Sequence, residues 1–117
     1  MSDQHLGWFL TGYFDEALRD SELTAVGLDP GVRAQARVDC RRFVDRCATD
    51  LGRMYAGDVL NGDGAQESYE RAGASFYLAR NGHTPRRWHG AVGKRLRAAA
   101  WTFGTWQLTR TGEHAHA

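Results

Sequence analysis

No run in this sequence approaches the ~18–20 consecutive apolar residues that a membrane-spanning helix needs. The opening Met1-Ser2-Asp3-Gln4-His5 lacks the basic start and apolar stretch of a secretory signal. The expectation is therefore a cytoplasmic protein with no membrane partner. Cysteine is scarce, with only Cys40 and Cys47. Placed on one helix, two residues seven positions apart are separated by about 10 Å along the axis, beyond the ~7 Å that a disulfide spans. Two buried thiols in a reducing compartment are expected. Net charge is nearly absent at +1, so the whole-chain value points to no particular partner. The motifs GxGxxG, P-loop and HExxH are missing, as is GxSxG. Repeats and low-complexity stretches are missing too.

What is present suits one globular domain over residues 1–117, since 42% of the residues are hydrophobic and 25% charged. Leu6, Phe9, Leu10, Tyr13, Phe14, Ala17 and Leu18 recur with the 3.6-residue period of an amphipathic helix, which Asp3 can cap and which ends near Asp20. Trp8 lies off this stripe. After a connection over 21–28, Asp29-Pro30 pairs an N-cap residue with a first-turn proline. A second helix follows to about Ala56, with Val32, Ala36, Cys40, Phe43, Val44, Cys47, Leu51 and Met54 on its apolar face and mixed charge outside.

Asn61-Gly62-Asp63-Gly64 reads as a turn and residues 65–73 as a short helix. Ala74-Ser75-Phe76-Tyr77-Leu78-Ala79-Arg80 carries aromatics and alternation that suit a strand, with Asn81-Gly82 as its turn. A third main helix is marked by Ala91, Val92, Leu96, Ala99, Ala100 and Phe103 and closed by Gly104. Thr105 to Thr109 reads as a final strand, and 111–117 as a frayed end. The fold class expected is α+β, mainly helical, with three main helices and a small two-stranded sheet in the C-terminal half.

Charge divides unevenly along this chain. Residues 1–70 hold 7 arginines and 13 acids, whereas residues 71–117 hold 8 basic residues and one acid. Either the halves pack and neutralise each other, or the basic half presents a face to nucleic acid or an acidic protein. Arg80, Arg86, Arg87, Lys94, Arg95 and Arg97 fall within eighteen residues with no acid between them, Trp88 interrupts the run, and Trp101 and Trp106 follow. Basic residues with aromatics suit a phosphate backbone and stacked bases, and equally an acidic protein surface. The candidate partner-binding set is Arg80, His83, Arg86, Arg87, Trp88, Lys94, Arg95 and Arg97. His83 also suits a loop clamp, its ring bonding backbone groups, and Arg80 suits a donor to loop carbonyls. A second basic row, Arg33, Arg37 and Arg41, has acidic neighbours and reads as structural. No catalytic residue, metal site or cofactor is expected. The thiols sit on an apolar stripe, and no register of the Asn61 loop meets the ligand spacing of a calcium loop.

Residues 72–83, Ala-Gly-Ala-Ser-Phe-Tyr-Leu-Ala-Arg-Asn-Gly-His, resemble a motif of a family of small tailed-phage proteins. In that family an Ala-Gly pair precedes an aromatic strand. An Arg-Asn-Gly-His turn, a Trp in a Gly-rich loop and a helix ending in Gly follow. The matching residues are Trp88, Gly90, Gly93 and the closing Phe103-Gly104. The family's acidic loop is replaced here by one with Arg86, Arg87 and Lys94. The resemblance implies a phage or prophage origin and a bacterial host cell, and it brings no assigned activity. The functional expectation is a non-enzymatic accessory protein that binds and modulates a host macromolecule, for instance a defence inhibitor of anti-CRISPR or antirestriction type. The alternative is a direct nucleic-acid binder. A small assembly subunit, with exposed aromatics as its oligomer interface, stands third.

Overall fold

The computed structural model describes residues 3–21, 30–55 and 64–106. Five helices occupy them: α1 (Asp3–Ser21), α2 (Pro30–Arg46), α3 (Ala48–Met54), α4 (Ala65–Arg80) and α5 (Gly90–Trp101). Among the described residues there is no strand, so the expected α+β class with its two-stranded sheet is corrected to an all-helical fold.

The correction begins at residues 74–80. The expected strand is the second half of α4, continuous with the short helix expected over 65–73. Phe76 and Tyr77 are adjacent and both fully buried. On a strand, neighbouring side chains point to opposite faces. Here both fall within one broad helical face that also takes in Ala65, Ser68, Ala72, Gly73, Ala79 and Arg80. Asn81-Gly82 ends this helix and makes no hairpin. Gly82 takes φ +87°, its N–H donates to Ala79 O (3.1 Å), and His83 N–H donates to Leu78 O (2.9 Å). That pair of bonds is the Schellman closure, in which glycine occupies the left-handed position without steric cost. The expected final strand fails as well: Thr105 and Trp106 are irregular, and residues 107–109 lie outside the described residues. So do residues 22–28 of the expected connection, whose first residue, Ser21, ends α1, together with the Asp29 cap, the Asn61-Gly62-Asp63 turn and the 111–117 end.

The long second helix expected to Ala56 is interrupted at Cys47, where α2 gives way to α3. Its hydrogen bonds bridge the interruption, from Cys47 N to Phe43 O (2.9 Å) and from Leu51 N to Cys47 O (2.8 Å). α3 leans on α5, and Arg95 donates to both carboxylate oxygens of Asp50 at 3.1 and 2.9 Å.

α1 and α4 form the closest pair and run in the same direction. His5 stacks on Tyr69 at one end (4.6 Å), and Tyr77 Oη donates to Asp20 at the other (2.6 Å). Their backbones touch. A Cβ added at Gly12 would overlap the Glu70 carbonyl, and one at Gly73 the Phe9 carbonyl. α2 returns antiparallel: Arg41, in its second half, reaches Asp3 at the start of α1 (3.9 Å), and Pro30, at its start, lines a groove with Leu10 and Phe14, further along α1.

Aromatic rings fill the space between the helices. Phe43 lies between Phe76 (4.2 Å, 16°) and Trp88 (5.8 Å, 15°). Phe103 meets Phe76 edge-on at 5.4 Å. Trp106 packs on Tyr13 (5.1 Å) and Phe14 (6.1 Å). Such offset and edge-on arrangements add ~0.5–1.5 kcal/mol per pair beyond area burial. Among the described residues no helix is long and apolar enough to cross a membrane.

Candidate functional site

The eight residues singled out from the sequence do not form one surface. Arg80 and Trp88 are inside. Arg80 is 2% exposed, and it makes four hydrogen bonds with a guanidinium that carries five N–H donors. Nε donates to Gly104 O (2.9 Å), Nη1 to Tyr13 Oη (3.2 Å), and Nη2 to Asp39 Oδ2 (3.0 Å) and Phe103 O (3.1 Å). The rings of Phe76 and Phe103 flank it at 5.3 and 5.9 Å. Arg80 thus ties α1, α2, α4 and the segment after α5 together. The donation to loop carbonyls expected of it is present, from a helix end and not from a strand end. Trp88 is fully buried, and its Nε1 donates to Tyr55 Oη (3.1 Å). Neither side chain is available to a partner.

Arg95 is spent on Asp50. Its hydrogen bonds hold the Asp50 carboxyl below the usual carboxylate range. Arg87 lies over the Tyr55 ring at 5.0 Å. Arg86 is exposed on the 81–89 loop. The remaining three, His83, Lys94 and Arg97, converge on one open groove of about 420 Å³. It lies between the turn that ends α4 and the outer face of α5, with Ala79, Gly82 and Ala98 among its lining residues. Thr84 and Trp101 complete the lining. His83 contributes an exposed side chain, and its main-chain N–H closes the turn where a ring bond had been expected.

Trp101 was absent from the expected set. It is 60% exposed, and its ring edge lies 3.6 Å from where a Cβ on Gly82 would stand. The signal for it was in the spacing: Lys94, Arg97, Ala98 and Trp101 stand at i, i+3, i+4 and i+7, one face of a helix. Gly93, Leu96 and Ala100 make the opposite, buried face. No acid occurs between Glu70 and Glu113. Two acids that reach this half across space, Asp39 and Asp50, are engaged by Arg80 and Arg95, and a third, Asp20, accepts from Tyr77. Lys94 and Arg97 bring positive charge to the groove, and Arg97 Nε is buried without a hydrogen-bond partner.

No protein-family model matches this chain, and no curated protein or solved structure matches it either.

Cys40 is fully buried, and burial pushes its thiol far above the usual range. Cys47 is shifted in the same direction, also mainly by burial. A thiol held protonated in this way is a poor nucleophile. Among the described residues no three His, Cys, Asp or Glu side chains are grouped to hold a metal ion.

Proposed function

We propose that this protein is a non-enzymatic accessory protein of tailed-phage type that binds an anionic surface of a host macromolecule and modulates it by covering that surface. The binding face is the groove between the end of α4 and α5, extended by Arg86. One observation carries this reading: Lys94, Arg97 and His83 share a groove with an exposed tryptophan in a stretch that has no acid of its own. A purely solvating face mixes charges of both signs, as the exterior of α2 does with Arg42 and Asp45. The basic segment contributes only part of itself to this face, because Arg80, Trp88 and Arg95 are engaged within the fold.

The test uses the full chain, tagged, against bacterial lysate divided into nuclease-treated and untreated halves. Reversal of Arg86, Lys94 and Arg97 to Glu alters only side chains at the groove and on its rim, so the fold should persist by circular dichroism while capture is lost. Capture that survives the reversal would refute the assigned face.

A further inference from the structure

Resting on that reading of the groove, we infer that its partner is single-stranded nucleic acid, with a base stacked on Trp101 and the adjoining phosphates held by Lys94 and Arg97. Two features favour this over an acidic protein surface. Ala79, Gly82 and Ala98, all small, line the groove beside the planar Trp101 ring, which suits a base more than a bulky apolar anchor. The indole is 60% exposed and lies beside Gly82, in the turn whose hydrogen bonds close α4. An exposed aromatic beside cationic side chains is the arrangement by which proteins hold single strands with little regard to sequence.

A duplex fits less well. Its base faces are stacked on one another and closed to Trp101, and the groove, at about 420 Å³, has the size of a small-ligand site (~300–1,000 Å³). The inference is therefore specific for unpaired strands. Arg86, exposed on the adjoining loop, would meet the strand as it leaves the groove.

The experiment titrates the full-length protein with a fluorescein-labelled oligothymidylate and with a duplex of equal length at low salt. Intrinsic tryptophan fluorescence serves as a second readout. Trp88 and Trp106 are buried, and Trp101 is the tryptophan most open to solvent, so quenching by the single strand should come from Trp101 and vanish in Trp101→Phe. Trp101→Ala should weaken binding about 5- to 150-fold, the range a single base–aromatic stack supplies, with Trp101→Phe in between. Lys94→Gln and Arg97→Gln should each flatten the slope of log affinity against log salt by about 0.7. If the strand binds and the cation variants weaken it while Trp101→Ala binds as tightly as the unaltered protein, stacking is overturned and the anionic-surface reading stands. If no oligonucleotide binds, yet a nuclease-resistant protein is captured in a Lys94- and Arg97-dependent way, the nucleic-acid inference is overturned and the function proposed above stands. Binding of the strand that none of these variants alters overturns both.

Discussion

Alanine in place of glycine inside a helix ordinarily stabilises, by ~0.5–1 kcal/mol, because the unfolded chain loses less freedom on folding. The contact between α1 and α4 reverses that sign at two positions, whereas two glycines away from it keep the ordinary sign. A Cβ at Gly73 would overlap the carbonyl oxygen of Phe9 and press on Tyr13 N, and one at Gly12 would overlap the backbone of Glu70. In both cases the obstacle is main chain held in a helix, which has no rotamer to escape into. The helices must therefore separate by about an ångström or more, which loosens Phe9, Tyr13 and Phe76 against one another. Overpacking costs ~1–3 kcal/mol even where side chains can yield, so a net loss of at least ~2 kcal/mol is expected for Gly73→Ala and for Gly12→Ala. Gly7 and Gly52 meet nothing within 4 Å of an added Cβ, and Gly7→Ala and Gly52→Ala should gain up to about 1 kcal/mol each. Urea unfolding followed by circular dichroism separates the cases. With a slope of ~1–3 kcal/mol per molar, the first pair should lower the midpoint by roughly 1–2 M and the second pair raise it. Midpoints that rise in all four variants would show that α1 and α4 do not meet through their backbones.

Breaking the Arg80–Asp39 pair should be costly because either partner then stays buried alone. Arg80→Met and Asp39→Asn should each lower unfolding free energy by ~3–5 kcal/mol, and the double variant Arg80→Met/Asp39→Leu by less than their sum. Single losses under about 1 kcal/mol would refute the clamp. Cys40, buried with its thiol held protonated, should resist a disulfide reagent at mildly alkaline pH in the folded protein and react on unfolding. Fast labelling of both thiols in the native state would contradict the core assignment. Tyr13 and Tyr77 are both raised, chiefly by burial, so each folded-state pKa lies above the unfolded value of ~10. The stability they supply is complete below that pH and is lost as pH climbs toward the folded values. Tyrosinate absorbance from this pair should therefore appear together with loss of helical signal in an alkaline titration, and ionisation of all four tyrosines before unfolding would overturn the prediction.

Much of the helical layout was legible. The stripe from Leu6 to Leu18 gave α1, Pro30 marked the start of α2, and Leu96 and Ala100 marked the buried side of α5. The misreading of α4 has a specific cause: aromatic content and Asn81-Gly82 are signals shared by hairpins and by helices that end in a left-handed glycine. Period decides between them, and Ala72, Phe76, Ala79 and Arg80 were already at helical spacing. The burial of Arg80 was not legible. Its partners, Tyr13, Asp39, Phe103 and Gly104, come from separate parts of the chain, and no local pattern brings them together. Trp88 was hidden for the same reason, since its hydrogen-bond partner is Tyr55. The groove face, by contrast, could have been drawn from the spacing of Lys94, Arg97 and Trp101 alone.

The backbone contact of α1 with α4 also bears on how the chain comes to be folded as it is made. Phe9 and Gly73 are more than sixty residues apart in sequence, and among the described residues nothing nearer in the chain offers α1 so close a partner. Synthesis proceeds at ~5–20 residues per second, so α1 emerges seconds before the helix that covers it. In that interval Phe9, Tyr13 and Phe14 are open to chaperones and to neighbouring chains. Closing so long a loop is an entropic cost met before the contact rewards it. The protein should therefore fold late and nearly all at once, when α4 clears the ribosome, and fragments that stop short of Arg80 should remain unfolded.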